Sequence, residues 1–174
     1  MQQIAWEGKV TIHAPVEQVY RYLADLPRHA EWAQSVQMLE LISPGDKAGV
    51  GARYRAIERQ IWQTDRRPRT PLTDRYGKTG DFLCEMRELV PNKRISWHAW
   101  APYPVVKHLG DYAFELASDG NGGTALVQHS TLTDNWLGFL VSRLVFKTTP
   151  AKARAQWAAS LENIKTILEE DATA

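Results

Sequence analysis

Five histidines at positions 13, 29, 98, 108 and 129, a single cysteine at 84 and the strand carboxylates Glu58 and Glu88 are the side chains whose chemistry could serve a reaction. The histidines are scattered. None makes an H-x-H or H-E-x-x-H spacing, so no metal site is expected. Cys84 has no second cysteine to pair with and no histidine spaced to activate it; it reads as a small buried hydrophobe in a reducing compartment. There is no G-x-S-x-G elbow and no phosphate-cradling glycine loop at a strand-to-helix junction; "SDGNGG" at 118–123 precedes a strand and reads as a hairpin turn. What remains is acid–base chemistry on an apolar substrate by Glu58, Glu88, His98, His129 or a tyrosine. Burial would raise such a carboxylate's pKa into a useful range, although a glutamate at a solvated strand end is the plainer reading. No residue is assigned a catalytic role, and no cofactor is expected.

Aromatic side chains are the stronger signal. "RISWHAW" at 94–100 carries Trp97 and Trp100 on one strand, with Ile95, Trp97 and Ala99 on one face and Ser96, His98 and Trp100 on the other. Neither face is plainly wet, which fits a strand that forms one stave of a cavity wall. Either tryptophan could be the one facing the cavity. Alternation along the other strands proposes partners: Tyr54, Ala56, Glu58, Gln60 and Trp62; Phe82, Cys84, Met86 and Glu88; and Tyr112, Phe114 and Leu116. Trp157 points in from a C-terminal helix. The ligand-contacting set expected on this basis is Tyr54, Trp62, Phe82, Cys84, Met86, Trp97, Trp100, Tyr112, Phe114 and Trp157, a mostly apolar lining of the kind small-molecule pockets have. Ordinary core packing competes for each ring, above all for Phe114 and Trp157.

These side chains need elements to hold them. Residues 4–13 form a first strand, Pro15 opens a helix with Val16, Val19, Tyr20 and Leu23 on its apolar face, and "RHAEWAQS" forms a second short helix presenting Trp32. Six more strands follow: "VQMLELIS", "ARYRAIERQIW", "DFLCEMRELV", "RISWHAW", "DYAFELA" and "TALVQHSTLT". Their short connections require antiparallel pairing. "QTDRRPRTPLTDRYGK" at 63–78 is too rich in proline and arginine for a strand interior, and "APYPVV" at 101–106 is a proline-stiffened connection. "DNWLGFLVSRLVFK" sets Leu137, Leu140, Val141 and Leu144 on one helical stripe. Thr149 and Pro150 then cap a helix over about 150–169, with Trp157, Leu161, Ile164 and Leu168 on its apolar face.

The chain has 174 residues, enough for one domain with a substantial core, and a single domain over 1–174 is expected. Its net charge of +1 argues against nucleic acid as a partner. The N-terminus has no apolar run of signal-peptide length, and "WLGFLVSRLVF" is interrupted by Arg143, so a cytoplasmic protein without a transmembrane segment is expected. Oligomeric state is left open.

Four stretches, "VTIHAPVEQVYRYLADLPRHAEWAQSV", "PNKRISWHAW", "GDYAFELASDGNGGTALV" and "WLGFLVSRLVFKTTPAKARAQWAASLENIKTIL", carry a family pattern across nearly the whole chain. The sequence resembles the START/SRPBCC superfamily, with the helix-grip fold shared with the birch pollen allergen. Within it, the chain looks most like bacterial polyketide cyclase/dehydrase and lipid-transport-type proteins. The resemblance implies an α+β fold in which a curved seven-stranded antiparallel sheet wraps around a long C-terminal helix, with two short helices after the first strand. It also implies binding of a hydrophobic or aromatic small molecule such as a lipid, quinone or polyketide in an internal cavity, with transport of that ligand as an extension of the same role. The alternatives are a cofactor-independent polyketide cyclase/dehydratase working in the same cavity, and an interaction module whose cavity is filled by its own side chains.

The 63–78 segment departs from the compact hairpin usual in that family. Its net charge is +3, from Arg66, Arg67, Arg69, Arg75 and Lys78 against Asp65 and Asp74. A solvated loop is the ordinary reading; the sharper one is an anionic membrane surface or an acidic carrier as partner. On the sharper reading, sedimentation with anionic vesicles falls as salt rises, since the Debye length shrinks from about 10 Å at 0.1 M to about 3 Å at 1 M. It falls further when Arg66, Arg67 and Arg69 become serine, and neutral vesicles respond to neither change.

Overall fold

The computed structural model describes residues 1–58, 81–102, 105, 107–144 and 149–171. In chain order these form β1 (Gln2–Ile12), α1 (Val16–Ala24), a 3-10 turn (Leu26–Arg28) running into α2 (His29–Trp32), β2 (Val36–Ser43), β3 (Arg53–Glu58), β4 (Asp81–Val90), β5 (Arg94–Trp100), β6 (His108–Ser118), β7 (Thr124–Asp134), α3 (Trp136–Leu144) and α4 (Pro150–Asp171). The strands make one antiparallel sheet in the order β1-β7-β6-β5-β4-β3-β2. This is the helix-grip α+β architecture: a curved sheet, a long C-terminal helix and short helices after the first strand.

β1 and β2 are neighbours in sequence but occupy opposite edges of the sheet, so the chain between them must travel from one edge to the other. α1 and α2 make that crossing. Val19, Tyr22 and Leu23 of α1 are buried, and Val16 and Tyr20 pack partly against the same core. Tyr22, absent from the expected stripe, donates its hydroxyl to Glu31 Oε2 at 3.0 Å, and the Arg28 guanidinium sits 4.3 Å over its ring.

α4 starts as the Thr149–Pro150 pair requires. Pro150 is its first residue, and the Lys152 amide donates to Thr149 Oγ1 at 3.3 Å. Trp157, Leu161, Ile164 and Leu168 are buried, together with Ala153 and Ser160. The helix packs chiefly on β1 and α2; its Asn163 amide donates to the Trp32 carbonyl at 3.0 Å, tying it to the crossing segment.

Several boundaries differ from those read in the sequence. Pro15 sits just before α1, with its carbonyl accepting from the Gln18 and Val19 amides. β6 starts at His108 rather than 111, because its register with β7 continues unbroken to Asp134. α3 begins only after Asn135, whose side-chain oxygen accepts from the Gly138 amide at 2.7 Å. On α3, Leu140 and Leu144 are exposed, so the apolar stripe is not covered there by any described residue. Residues 59–62 of the expected third strand, the 63–78 segment, and Tyr103, Pro104 and Val106 of the proline connection lie outside the described residues.

The turn "SDGNGG" closes the β6–β7 hairpin. Asp119 Oδ1 accepts from the Asn121 and Gly123 amides, both at 2.8 Å, and Gly120 and Gly122 take φ of 84° and 87°. Next to it, the fully buried Thr124 donates its hydroxyl to the Ala14 carbonyl at 2.7 Å, fastening the start of β7 to the loop before α1. Thr124→Val keeps the shape but leaves that carbonyl unpaired, and should destabilise the protein by about 1–3 kcal/mol. Thr124→Ser, which keeps the bond, should cost only about 1 kcal/mol. Urea unfolding midpoints of the two variants check the order; equal midpoints for Val and wild type would remove the bond from the account.

Candidate functional site

β5 settles which tryptophan faces inward. Ile95, Trp97 and Ala99 are buried, while Arg94, Ser96, His98 and Trp100 are half-buried on the outer face. Trp100 stacks there on His98, with ring centroids 5.7 Å apart, and His98 Nδ1 lies 2.6 Å from Asp111 Oδ1. Trp97 instead lies at the centre of an aromatic box. It stacks on Tyr112 (5.3 Å, 17°), touches Phe114 (5.5 Å) and meets His29 edge-on (4.6 Å, 88°). His29 continues to Trp32 at 4.1 Å, and Trp32 closes on Phe114 at 5.7 Å.

Beside this box is a cavity of about 80 Å³. Phe82, Cys84, Trp97, Tyr112 and Trp157, all expected from strand and helix periodicity, line it. Tyr54, Met86, Trp100 and Phe114 do not. Tyr54 is partly buried against the core, where desolvation raises its pKa, and Ala56 takes the inward place beside the cavity. Met86 and Phe114 are core, and Trp100 is on the outer face. Trp62 and the side chain of Glu58 lie outside the described residues.

Two rings owe their position to glycine. A Cβ on Gly110 would fall 2.5 Å from the Tyr112 ring, and one on Gly8 would fall 2.1 Å from the ring of Trp6. Each ring therefore lies along its strand over the neighbouring glycine on the same face. Trp6 so placed meets Trp157 of α4 at 6.1 Å.

Of the expected acid–base candidates, Glu88, His98 and His129 are turned away from the cavity, whereas a tyrosine, Tyr112, lines it. Simple alternation puts Glu88 on the face of Phe82, Cys84 and Met86, but β4 carries a bulge: Met86 pairs with Trp97, and the next paired residue, Glu88, faces Ser96. The shift sends Leu89 inward opposite Ile95 and Glu88 outward. A hydrogen bond from Arg94, helped by one from Ser96, holds the Glu88 carboxyl below its ordinary pKa. The two consecutive polar residues in "CEMREL", Arg87 and Glu88, were the sequence signal for this insertion. His98 and His129 are on the outer face as well, His129 between Glu7 and Glu115. Among the described residues no Asp, Glu, Lys or Arg lines the cavity, and no group of three His, Cys, Asp or Glu is placed to hold a metal ion.

The polar residues that line it are neutral, and, Tyr112 apart, sequence reasoning missed them as site residues: His29, Trp32, Ser35, Gln128, Gln156 and Ser160. Gln128 was legible in principle. On β7 the inward face reads Leu126, Gln128, Ser130, so period 2 puts a polar pair on the core side. His29 carried no signal, because its burial depends on the sheet meeting α2. Desolvation lowers its pKa from 6.5 to about 3; the Leu26 carbonyl is near enough to oppose the shift slightly but not in hydrogen-bonding geometry. The imidazole is neutral at any ordinary pH.

Residues 3–169 match the family model described as polyketide cyclase/dehydrase and lipid transport. Among solved structures, the chain is similar to the di-domain aromatase/cyclase BexL from the BE-7585A biosynthetic pathway, with 18% identity and a TM-score of 0.64, covering 96% of this chain and 50% of that one. It is similar to the Zhui aromatase/cyclase from Streptomyces sp. R1128, with 18% identity and a TM-score of 0.57, over 97% and 90% of the two chains. It is also similar to Ara h 8.0201, with 13% identity and a TM-score of 0.56, over 95% and 99%. At these identities the likeness is one of fold. No curated protein matches the chain by sequence.

The buried imidazole makes stability depend on pH. Unfolding returns His29 to its ordinary pKa of 6.5, so between there and about 3 the unfolded chain binds one more proton than the folded one. Stability is therefore present above pH 6.5 and falls as pH drops through this window, by up to about 1.4 kcal/mol per unit. His29→Phe should flatten that slope in urea unfolding measured between about pH 6 and pH 4. Parallel slopes for variant and wild type would mean the ring is solvated when folded.

Proposed function

Starting from a chain that belongs to the polyketide cyclase/dehydrase and lipid-transport family, we propose that it binds a hydrophobic or aromatic small molecule in the cavity beside Trp97. One observation carries this reading: the described wall is aromatic and uncharged, yet the rings leave space between them. Phe82, Cys84, Trp97, Tyr112 and Trp157 are the contacting residues. The space is modest. At about 80 Å³ it is smaller than the roughly 150 Å³ cavity that admits benzene and well below the 300–1,000 Å³ of drug-sized pockets. The ligand is thus a single ring, or the leading ring of a larger lipid, quinone or polyketide whose remainder lies outside, and the wall yields slightly to admit it.

A cyclase/dehydratase has the aromatase/cyclase neighbours in its favour, but such chemistry moves protons. Glu88, His98 and His129 face outward, and His29, with a pKa of about 3, is a poor base and no acid near neutrality. An enzyme built on this wall would work mainly by holding a reactive chain in one conformation.

Native mass spectrometry of detergent-free protein should show an apolar adduct on the wild type. Ala56→Trp, which fills the cavity, should lose it, and Ala99→Leu should reduce it with less strain on the fold. A wild type that carries no adduct and retains no single-ring probe would overturn the proposal.

A further inference from the structure

Four buried side-chain atoms have no hydrogen-bond partner among the described residues: both ring nitrogens of His29, Trp32 Nε1 and Gln128 Oε1. All three residues line the cavity. They are almost wholly buried, at 5%, 3% and 2% exposure. Leaving such a group unpaired costs about 1–3 kcal/mol, so several on one wall call for a complement inside it. Their chemistry specifies that complement. Trp32 Nε1–H can only donate. Gln128 donates through Nε2 to Ser130 Oγ at 3.0 Å, which leaves Oε1 to accept. A neutral imidazole offers one donor and one acceptor. The missing group therefore both accepts and donates, as a hydroxyl does. It is uncharged, because no Asp, Glu, Lys or Arg of the described wall would balance a buried ion. It is carried on a ring, because Phe82, Trp97, Tyr112 and Trp157 line the space with aromatic surface.

We propose that the cavity recognises a neutral hydroxylated ring of the phenol class, its oxygen accepting from Trp32 Nε1–H and its hydroxyl donating to Gln128 Oε1. This rests on the ligand-binding reading above and adds the polar half of the ligand. Water is the other molecule that could serve the same atoms, and the test separates the two.

The probes are phenol, toluene and benzoate, titrated into the 15N-labelled protein. The chain has seven tryptophans, and Trp32's indole N–H signal is assigned by its loss in Trp32→Phe. Phenol should bind about tenfold more tightly than toluene, the size of effect one or two such bonds give. It should shift the Trp32 indole signal, and benzoate should bind more weakly than phenol. Gln128→Leu and Trp32→Phe should each shrink the ratio of phenol to toluene affinity toward one, whatever they do to toluene itself. Equal affinities for phenol and toluene with a stationary Trp32 signal would mean that water serves these atoms: the inference falls and the apolar-binding reading stands. If neither probe binds, the binding reading falls and takes the inference with it. Should Gln128→Leu fail to fold, the phenol-to-toluene ratio and the indole shift of the unaltered protein still decide.

Discussion

A single helix cannot cover the inner face of this sheet. Seven strands spaced about 4.8 Å apart span roughly 29 Å, whereas an α-helix with its side chains is about 10–12 Å across. α4 lies toward β1 and leaves the β5–β4–β3 side to other means. The crossing between the two sheet edges supplies part of the cover, bringing His29 over Trp97 and Trp32 over Phe114. Aromatic side chains supply most of the rest. The cavity is what remains where straight helix, short crossing and curved sheet fail to meet.

The same constraint explains why the interior is polar where it is. A strand residue in the closely packed core can be aliphatic, as Ile12, Leu126 and Ile95 are, whereas one facing the gap packs against nothing fixed. Gln128 and Ser130 satisfy each other in part, and the neutral imidazole of His29 sits among rings that cannot hydrate it. Outside, the sheet is conventional: Arg53–Glu85, Arg55–Glu40 and Arg94–Glu115 bridge neighbouring strands on the solvent side, where such exposed pairs contribute little to stability. Among the described residues of the sheet the exception is Asp134, buried at the end of β7 and paired with His108 Nδ1 at 2.5 Å, whose ring meets Phe82 at 5.4 Å.

The fold was legible because its signals are periodic and local. Alternation marked the strands, the Thr149–Pro150 pair marked the start of α4, and the order of elements pointed to the sheet-and-helix arrangement. Four of the expected lining residues followed from strand parity, and Trp157 from the helix spacing. Parity failed at Glu88, where one extra residue in β4 moves a leucine inward and a carboxylate outward; an apolar side chain in the core outweighs a regular ladder. His29 and Trp32 could not be found the same way. A four-residue helix has no periodicity to read, and their place in the site exists only once chain-distant strands arrive beneath them.

Gly8 and Gly110 touch the cavity nowhere, yet they bear on its wall: Tyr112, laid over Gly110, lines it, and Trp6, laid over Gly8, backs the lining Trp157. A ring lying along a strand exposes its face and takes up little height; the same ring stood upright by a methyl group beneath it would reach across the gap. The dimensions of the interior are therefore written partly in two positions that any inventory of the wall would omit. Relatives with identical linings could differ in capacity through these alone, so comparing wall residues would misjudge which of them accept the same guests.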